Sequence, residues 1–329
     1  MIDRASLLLA DLARIPDVLR RQAGAASRGI GGPVAQIAAP GGRIVLTGLG
    51  SSRFAALAVA PPLRAAGFDV VVEHASTQQP APLAPGSVLV AISSSGRTPE
   101  TVAAAKRGQS VGVTVVAITN DPTSALAAAS DIVLALEAGE EVSGVASLTY
   151  AATIAVLCRL AETLGSEMHA GAVLSESAEA VAERLGSRSR WLGSAADLLE
   201  AGAPIHVLAD AAELGTAEQA ALLFRECPRI PADATDAGDW LHIGIYTALP
   251  GSRAILLAGT PYDREIVDVF HARGGRIALI AGPRDETGDS VLPGLERRRQ
   301  GPIVRALEQS VVLALVAAEL WQRARADAS

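Results

Sequence analysis

Short apolar runs alternate with helical segments along the first half of the chain. Five runs have the length and the Val, Ile and Leu content of buried strands, and between most of them the apolar spacing is helical. The runs lie at 43–48, 68–74, 87–93, 113–119 and 131–136. Strands that alternate with helices in this way predict a parallel sheet covered by helices on both faces. We therefore expect an α/β fold.

The same pattern begins again in the second half. Residues 166–201 show helical periodicity without a strand run, and strand-like runs return at 204–210, 253–259 and 276–282. A long apolar helix closes the chain from Gly301. This predicts a diverged internal repeat of one α/β unit. We expect an N-terminal helix with a first domain over 1–180, and a connector helix with a second domain over 181–329.

The segment "VAISSSGRTPETVAAAKRG" (90–108) joins a predicted strand to a predicted helix. Pro99 and Glu100 are typical of a first helical turn, and Thr98 supplies a capping hydroxyl. Free N–H groups at such a helix start attract an anion, and nearby hydroxyls add donors. The segment thus indicates either a phosphate site or a simple capped turn. The matching turn of the second repeat, "LLAGTPYDRE", has one Ser or Thr hydroxyl where the first has four, so one phosphate site per chain is expected.

The first strand-to-helix turn, "TGLGSSRFAALA", partly resembles a dinucleotide-binding motif. Gly48 and Gly50 follow a strand, and Glu73 ends the next strand, where an acid would bind ribose. Arg53, however, stands where that motif needs a small residue for helix packing. The serines after Gly50 instead favour contacts with a phosphate or with sugar hydroxyls.

Composition narrows the function classes. The formal net charge is −7 and aromatic residues make up 3% of the 329 residues, which argues against nucleic-acid binding. The N-terminal segment resembles an amphipathic helix and not a leader, and no apolar stretch is long enough for a membrane span, so we expect a cytoplasmic protein. Cys158 and Cys227 lack metal-ligand spacing, so we expect reduced thiols, with neither a disulfide nor a zinc site.

Few residues are candidates for acid–base or covalent chemistry. Of the five histidines, His242 stands out because "DAGDWLHIG" predicts a glycine-flanked loop, and loops often carry catalytic groups. The other four fit structural or exposed positions. Lys106, the one lysine, lies in a predicted helix beside Arg107, where a solvated surface role is expected.

Together these segments resemble a pair of SIS (sugar isomerase) domains, as in the isomerase half of glucosamine-6-phosphate synthase. "GSS" (50–52) is similar to the family's Gly-Thr-Ser turn, "SSSGRT" (93–98) to its Ser-Gln-Ser-Gly-Glu-Thr turn, and 145–147 to its Val-Ala-Ser. The family's catalytic Glu ends a helix, and its catalytic His follows sixteen positions later. Glu226 and His242 have this spacing.

The resemblance implies a phosphosugar isomerase or aminosugar-phosphate deaminase that acts on a hexose or hexosamine 6-phosphate without cofactor or metal. It implies proton transfers by Glu226 and ring opening by His242, supplied by the other subunit of a homodimer. The implied substrate-binding residues are Ser51, Ser52, Ser93, Ser94, Ser95, Thr98, Val145 and Ser147. The chain lacks the family's C-terminal lysine tail. The alternative is a phosphosugar-sensing module without turnover.

Overall fold

The computed structural model describes residues 4–26, 43–200, 204–280, 290–292 and 301–326, the last strand by its backbone only. The final residues of the predicted strand at 276–282 lie outside this part of the chain. Within it, the fold consists of two five-stranded parallel sheets flanked by helices, which confirms the predicted α/β class.

The first sheet has the strand order β2-β1-β3-β4-β5. Its strands are β1 (Arg43–Gly48), β2 (Asp69–His74), β3 (Val88–Ile92), β4 (Thr114–Thr119) and β5 (Ile132–Ala135). All neighbouring pairs are parallel. The central strands are buried on both faces, as expected from their continuous apolar runs.

Six α-helices are described up to residue 187, and several of them connect and cover this sheet. They are α1 (Arg4–Ala26), α2 (Ser51–Ala65), α3 (Pro99–Ser110), α4 (Ala125–Ala128), α5 (Leu148–Thr163) and α6 (Ala170–Ser187). Helix α2 packs on β1, β2 and α5, whereas α3 packs mainly on β3 and β4. Gly108 permits the close approach of α3, because a Cβ atom there would lie 2.7 Å from Leu89 Cδ2.

The second sheet has the order β10-β9-β8-β6-β7 and repeats the arrangement of the first. Its strands are β6 (Ile205–Ala209), β7 (Ala232–Asp236), β8 (Arg253–Leu257), β9 (Arg276–Ile280) and β10 (Ser290–Leu292). The helices are α7 (Leu192–Leu199), α8 (Leu214–Glu226), α9 (Ala237–His242), α10 (Asp263–Ala272) and α11 (Pro302–Ala326). Trp240 and Phe270 stack in its core, with ring centroids 5.0 Å apart.

One segment differs from the sequence prediction. We expected a loop around His242, but 232–236 form the edge strand β7, and 237–242 form α9. Strand β7 pairs with β6 from Ile205–Ala232 to Ala209–Asp236, and this pairing forms despite the weak β propensity of Ala and Asp. His242 is therefore the last residue of a short helix.

The chain divides into two compact units. The first unit consists of Arg14–Glu141 and Ala146–Glu179, and the second of Met1–Ala13, Val142–Val145 and Ala180–Ser329. In the second unit the buried Asp11 carboxylate accepts the N–H groups of Val142 and Ser143, which fastens α1 to that loop. No helix in the described residues is long and apolar enough to cross a membrane.

Candidate functional site

Two hydroxyl-rich turns meet at the carboxyl ends of β1 and β3 in the first unit. These strands are neighbours, with Thr47 paired to Ala91, and Gly48 lies close enough to β3 that a Cβ there would be 3.0 Å from the Ile92 carbonyl oxygen. The strand order reverses here, since β2 lies on one side of β1 and β3 on the other. Open parallel sheets form a ligand crevice at such a switch point.

The serine turn (Ser93 to Thr98) follows β3. Ser93 is buried, and its hydroxyl oxygen lies 3.0 Å from that of Thr98. Thr98 is the residue before α3, as predicted, and Pro99 begins the helix. The predicted capping bond is wrong, because the Thr98 side chain bonds Ser93 and makes no capping bond to the helix. The first turn of α3 is thus left without a side-chain acceptor from its N-cap residue.

The last residue of β4 and the turn that follows it hold the serine turn in place. The Ser94 carbonyl accepts the Asn120 N–H at 2.9 Å and the Thr119 hydroxyl at 3.2 Å. Gly96 has φ 63°, and a Cβ there would lie 2.0 Å from Ser124 Oγ, so only glycine fits. Sequence reasoning missed Thr119 and Ser124; a hydroxyl residue at the end of a buried strand and another in the turn that follows it were the available signal.

The glycine turn (Leu49 to Ser52) follows β1. Gly50 has φ 52° and precedes α2, whose first turn has neither a side-chain cap nor an acidic residue. The Ser51 hydroxyl is buried and has no hydrogen-bond partner among the described residues. Ser52 is half-buried beside it. This turn therefore offers unused donors and the positive end of a helix dipole.

Arg97 gives the serine turn an exposed positive charge. Its side chain is 78% exposed, and its guanidinium lies 3.4 Å from the Asp121 carboxylate. Hydrogen bonds from Thr123, with smaller contributions from Arg97, lower the pKa of Asp121. An exposed ion pair of this kind contributes little energy, so Arg97 can turn to an anion at the serine turn.

The start of α5 is capped by the side chain of an acidic residue of the same chain, Glu141. The Glu141 carboxylate accepts the N–H groups of Ser147 at 2.7 Å and Leu148 at 2.6 Å, and the Thr149 hydroxyl at 2.6 Å. Burial raises the pKa of Glu141, and these donors oppose that shift. Sequence reasoning missed Glu141, although an acid shortly before a Ser-Leu-Thr helix start is a capping pattern.

Val145 and Ser147 are both buried, the residues being 4% and 5% exposed. The Val145 N–H donates to Ser143 Oγ, and the Ser147 hydroxyl lies 3.5 Å from Glu141. Their backbone and hydroxyl groups are thus engaged within the protein. A direct role in sugar binding stays a prediction for both residues.

The predicted acid–base pair lies in the second unit. Glu226 ends α8, as predicted, and is exposed. His242 ends α9 and is exposed, and the apolar side chains of Ile243 and Tyr246 beyond it are 67% and 77% exposed. Helix α8 runs against the strands, so Glu226 lies towards the amino edge of the second sheet, whereas α9 begins at its carboxyl edge.

The remaining reactive side chains have structural surroundings. His206 is 4% exposed, 2.8 Å from the Asp233 carboxylate and packed near Trp240. Both cysteines are free and buried, and burial raises the pKa of the Cys227 thiol to about 12. Lys106 is exposed on α3, as predicted. In the part of the chain described, no three His, Cys, Asp or Glu side chains cluster as metal ligands.

Comparison with known proteins identifies this architecture. The sequence model of the SIS domain matches residues 37–162, which include both hydroxyl-rich turns. A glutamine–fructose-6-phosphate aminotransferase (isomerizing) of Tropheryma whipplei is 26% identical over 293 residues, which are 80% of this chain and 45% of that protein. The chain spans less than half the length of the curated relatives it matches.

Two solved structures share the fold over nearly the whole chain. The C-terminal domain of glucosamine-fructose-6-phosphate aminotransferase from Francisella tularensis has a TM-score of 0.82 and 20% identity, covering 96% of each chain. A glucosamine-6-phosphate deaminase from Thermotoga maritima has a TM-score of 0.68 and 15% identity, covering 96% of this chain and 94% of that one. At these identities the likeness concerns the fold, and it confirms the predicted two-sheet arrangement.

Proposed function

Since residues 37–162 match the sequence model of the SIS domain, we propose that this protein is a phosphosugar isomerase or an aminosugar-phosphate deaminase acting on a hexose or hexosamine 6-phosphate. The observation that carries the proposal is the meeting of the two hydroxyl-rich turns at the switch point between β1 and β3. Both turns lead into helix starts, and one contains the unpartnered Ser51 hydroxyl. A phosphate monoester matches this set of donors.

Within this proposal the serine turn and the glycine turn contact the same phosphosugar through different donors. Side chains and N–H groups of the serine turn hold the phosphate, and Arg97 adds a positive charge beside it. Ser94, Val145 and Ser147 lie along the sugar, and Ser51 and Ser52 donate from the glycine turn. A net charge of −7 would repel phosphate at long range, so these local donors must supply the attraction.

The proposed chemistry needs one base and one acid. Glu226 removes the proton from C2 of the open-chain aldose and returns it to C1, through an enediol or, for an aminosugar, an enolamine. His242 moves the proton that opens the sugar ring. In deamination, water then replaces the nitrogen, and a ketose phosphate and ammonia leave. We propose a homodimer in which His242 serves the neighbouring subunit's site.

Replacing Glu226 by Gln tests this function. We expect turnover to fall by roughly a thousandfold, because the variant cannot accept the C2 proton, whereas phosphosugar binding stays. Proton NMR in deuterated water follows exchange at C2 and ketose formation from glucose 6-phosphate and glucosamine 6-phosphate, with an ammonia assay in parallel. Glu265→Gln, at an exposed acid of α10, is the matched control.

Two results would overturn the assignment. Wild-type protein that binds phosphosugars without any C2 exchange would be a sensor module and not an enzyme. Exchange at an unchanged rate in Glu226→Gln would leave an isomerase whose base lies elsewhere.

A further inference from the structure

A cavity of about 320 Å³ lies in the first unit, and none of its lining residues belongs to the two hydroxyl-rich turns. It is roofed by the strap, which we define as residues 77–83, and its floor is formed by β1 and β3. None of the residues predicted to bind or convert a phosphosugar lines it. The lining residues on which the argument rests are Glu73, Ala81, Leu83, Leu89, Arg107 and Val111.

The cavity exists because α3 leaves part of the sheet uncovered. Gly108 draws α3 onto Leu89 and Val115, over the centre of the sheet. The edge of that face towards β2 is covered by the strap, from which Leu83 packs on the core cluster. A strap of Pro, Ala and Leu side chains fills less space than a helix would. The result is a hollow with apolar walls and a size at the lower limit of small-molecule sites.

Opposite charges border this hollow. One oxygen of the Glu73 carboxylate accepts the Ala81 N–H of the strap, and its other oxygen has no partner among the described residues. The Arg107 guanidinium, on α3, has no hydrogen-bond or ion-pair partner among them either. The Glu73 carboxylate and the Arg107 guanidinium therefore border one apolar cavity, and each can form further hydrogen bonds.

We propose that this cavity binds a small zwitterionic molecule with an apolar body, its ammonium on Glu73 and its carboxylate on Arg107. A singly charged ligand would satisfy one of these side chains and leave the other unpaired beside it. A zwitterion satisfies both, and its apolar body covers Leu89 and Val111, the latter 60% exposed without it. The Ala81 N–H already ties the strap to the Glu73 carboxylate, so a ligand bound to that carboxylate would change the surroundings of this amide.

The test uses ω-amino carboxylates of four, six and eight carbons as probes, with the carboxylic acid and the primary amine of each length as single-charge controls. Isothermal titration gives the affinities, and the NMR shift of the Ala81 amide reports on the strap. We expect one zwitterion to bind at least tenfold more tightly than both of its single-charge controls. Arg107→Gln should abolish the preference over the amine, and Glu73→Gln the preference over the acid.

Lys106→Gln is the matched control, because it removes one positive charge from the neighbouring, exposed position of α3. It should leave every affinity unchanged. Equal binding of charged and zwitterionic probes, an effect of Lys106→Gln equal to that of Arg107→Gln, or no binding of any probe at millimolar concentration would each overturn the proposal. No turnover is measured, so the outcome is independent of the proposed isomerase activity.

Discussion

The hydroxyl oxygens of Ser93 and Thr98 lie 3.0 Å apart, so the last residue before α3 is tied to the first residue after β3. This bond closes the serine turn into a ring above the helix start. It also takes Thr98 away from its usual capping role, so the first N–H groups of α3 remain available to an anion.

Thr98→Val removes this hydroxyl while keeping the β-branched shape. We expect the KM for the phosphosugar to rise by about tenfold, since one hydrogen bond to a charged group contributes roughly 1.5 kcal/mol. Steady-state kinetics with glucose 6-phosphate measures this. Thr98→Ser should behave like the wild type, and Ser175→Ala, at a helix hydroxyl bonded to Gly171, should change nothing. An unchanged KM in Thr98→Val would exclude this hydroxyl from phosphate binding.

Gly96→Ala should destabilise the first unit more than an ordinary glycine replacement does. The new Cβ would meet Ser124 Oγ at 2.0 Å in addition to the strain of a positive φ. We expect a loss of roughly 2–4 kcal/mol in the free energy of unfolding, measured with urea.

Gly112→Ala separates the two causes. Gly112 has φ 76°, but no atom lies within 4 Å of the position that a Cβ would take there, so only strain of about 1 kcal/mol is expected. Equal losses in the two variants would show that the serine turn can move away from Ser124.

Because of Glu308, we expect the second unit to be more stable in mild acid than at pH 8. Its side chain is 1% exposed; burial raises its pKa to about 7, and the hydrogen bond from Arg184 opposes the rise. Because the folded pKa lies above the unfolded value of 4.5, the stabilisation is complete below pH 4.5 and is lost as pH rises through 7.

Urea unfolding of wild type and Glu308→Gln at intervals from pH 4.5 to 8 measures this effect. The wild type should lose up to about 3 kcal/mol relative to the variant over this range. If the wild type instead gained stability relative to Glu308→Gln as pH rises, attraction to Arg184 would outweigh the effect of burial, and Glu308 would be charged throughout this range.

Mixing two inactive variants tests the shared site. If Glu226 and His242 of different subunits act together, Glu226→Gln and His242→Asn are each inactive, but their mixed dimers contain one intact site. Random exchange of subunits should then restore about a quarter of the wild-type rate. No recovery, with subunit exchange verified by native mass spectrometry, would place both residues of a site on one chain.

Much of the fold followed from local sequence. Runs such as 88–92 and 114–119 are too apolar for an exposed strand and too short for a helix, and so they were predicted correctly as buried strands. Pro99 and Glu100 likewise marked the start of α3. The catalytic and binding residues were inferred from spacing and resemblance, and their roles remain predictions.

The sequence by itself determined the alternation of strands and helices, the repeat and the two hydroxyl-rich turns, because each depends on contacts between residues close along the chain. Only the tertiary structure decided the contacts between segments that are far apart in the sequence. Strand β7 forms because β6 offers it a parallel partner, and Gly96 is fixed by Ser124, which lies on another turn. Arg107 and Glu73 face one cavity because the sheet brings their segments together, and no local pattern records that proximity.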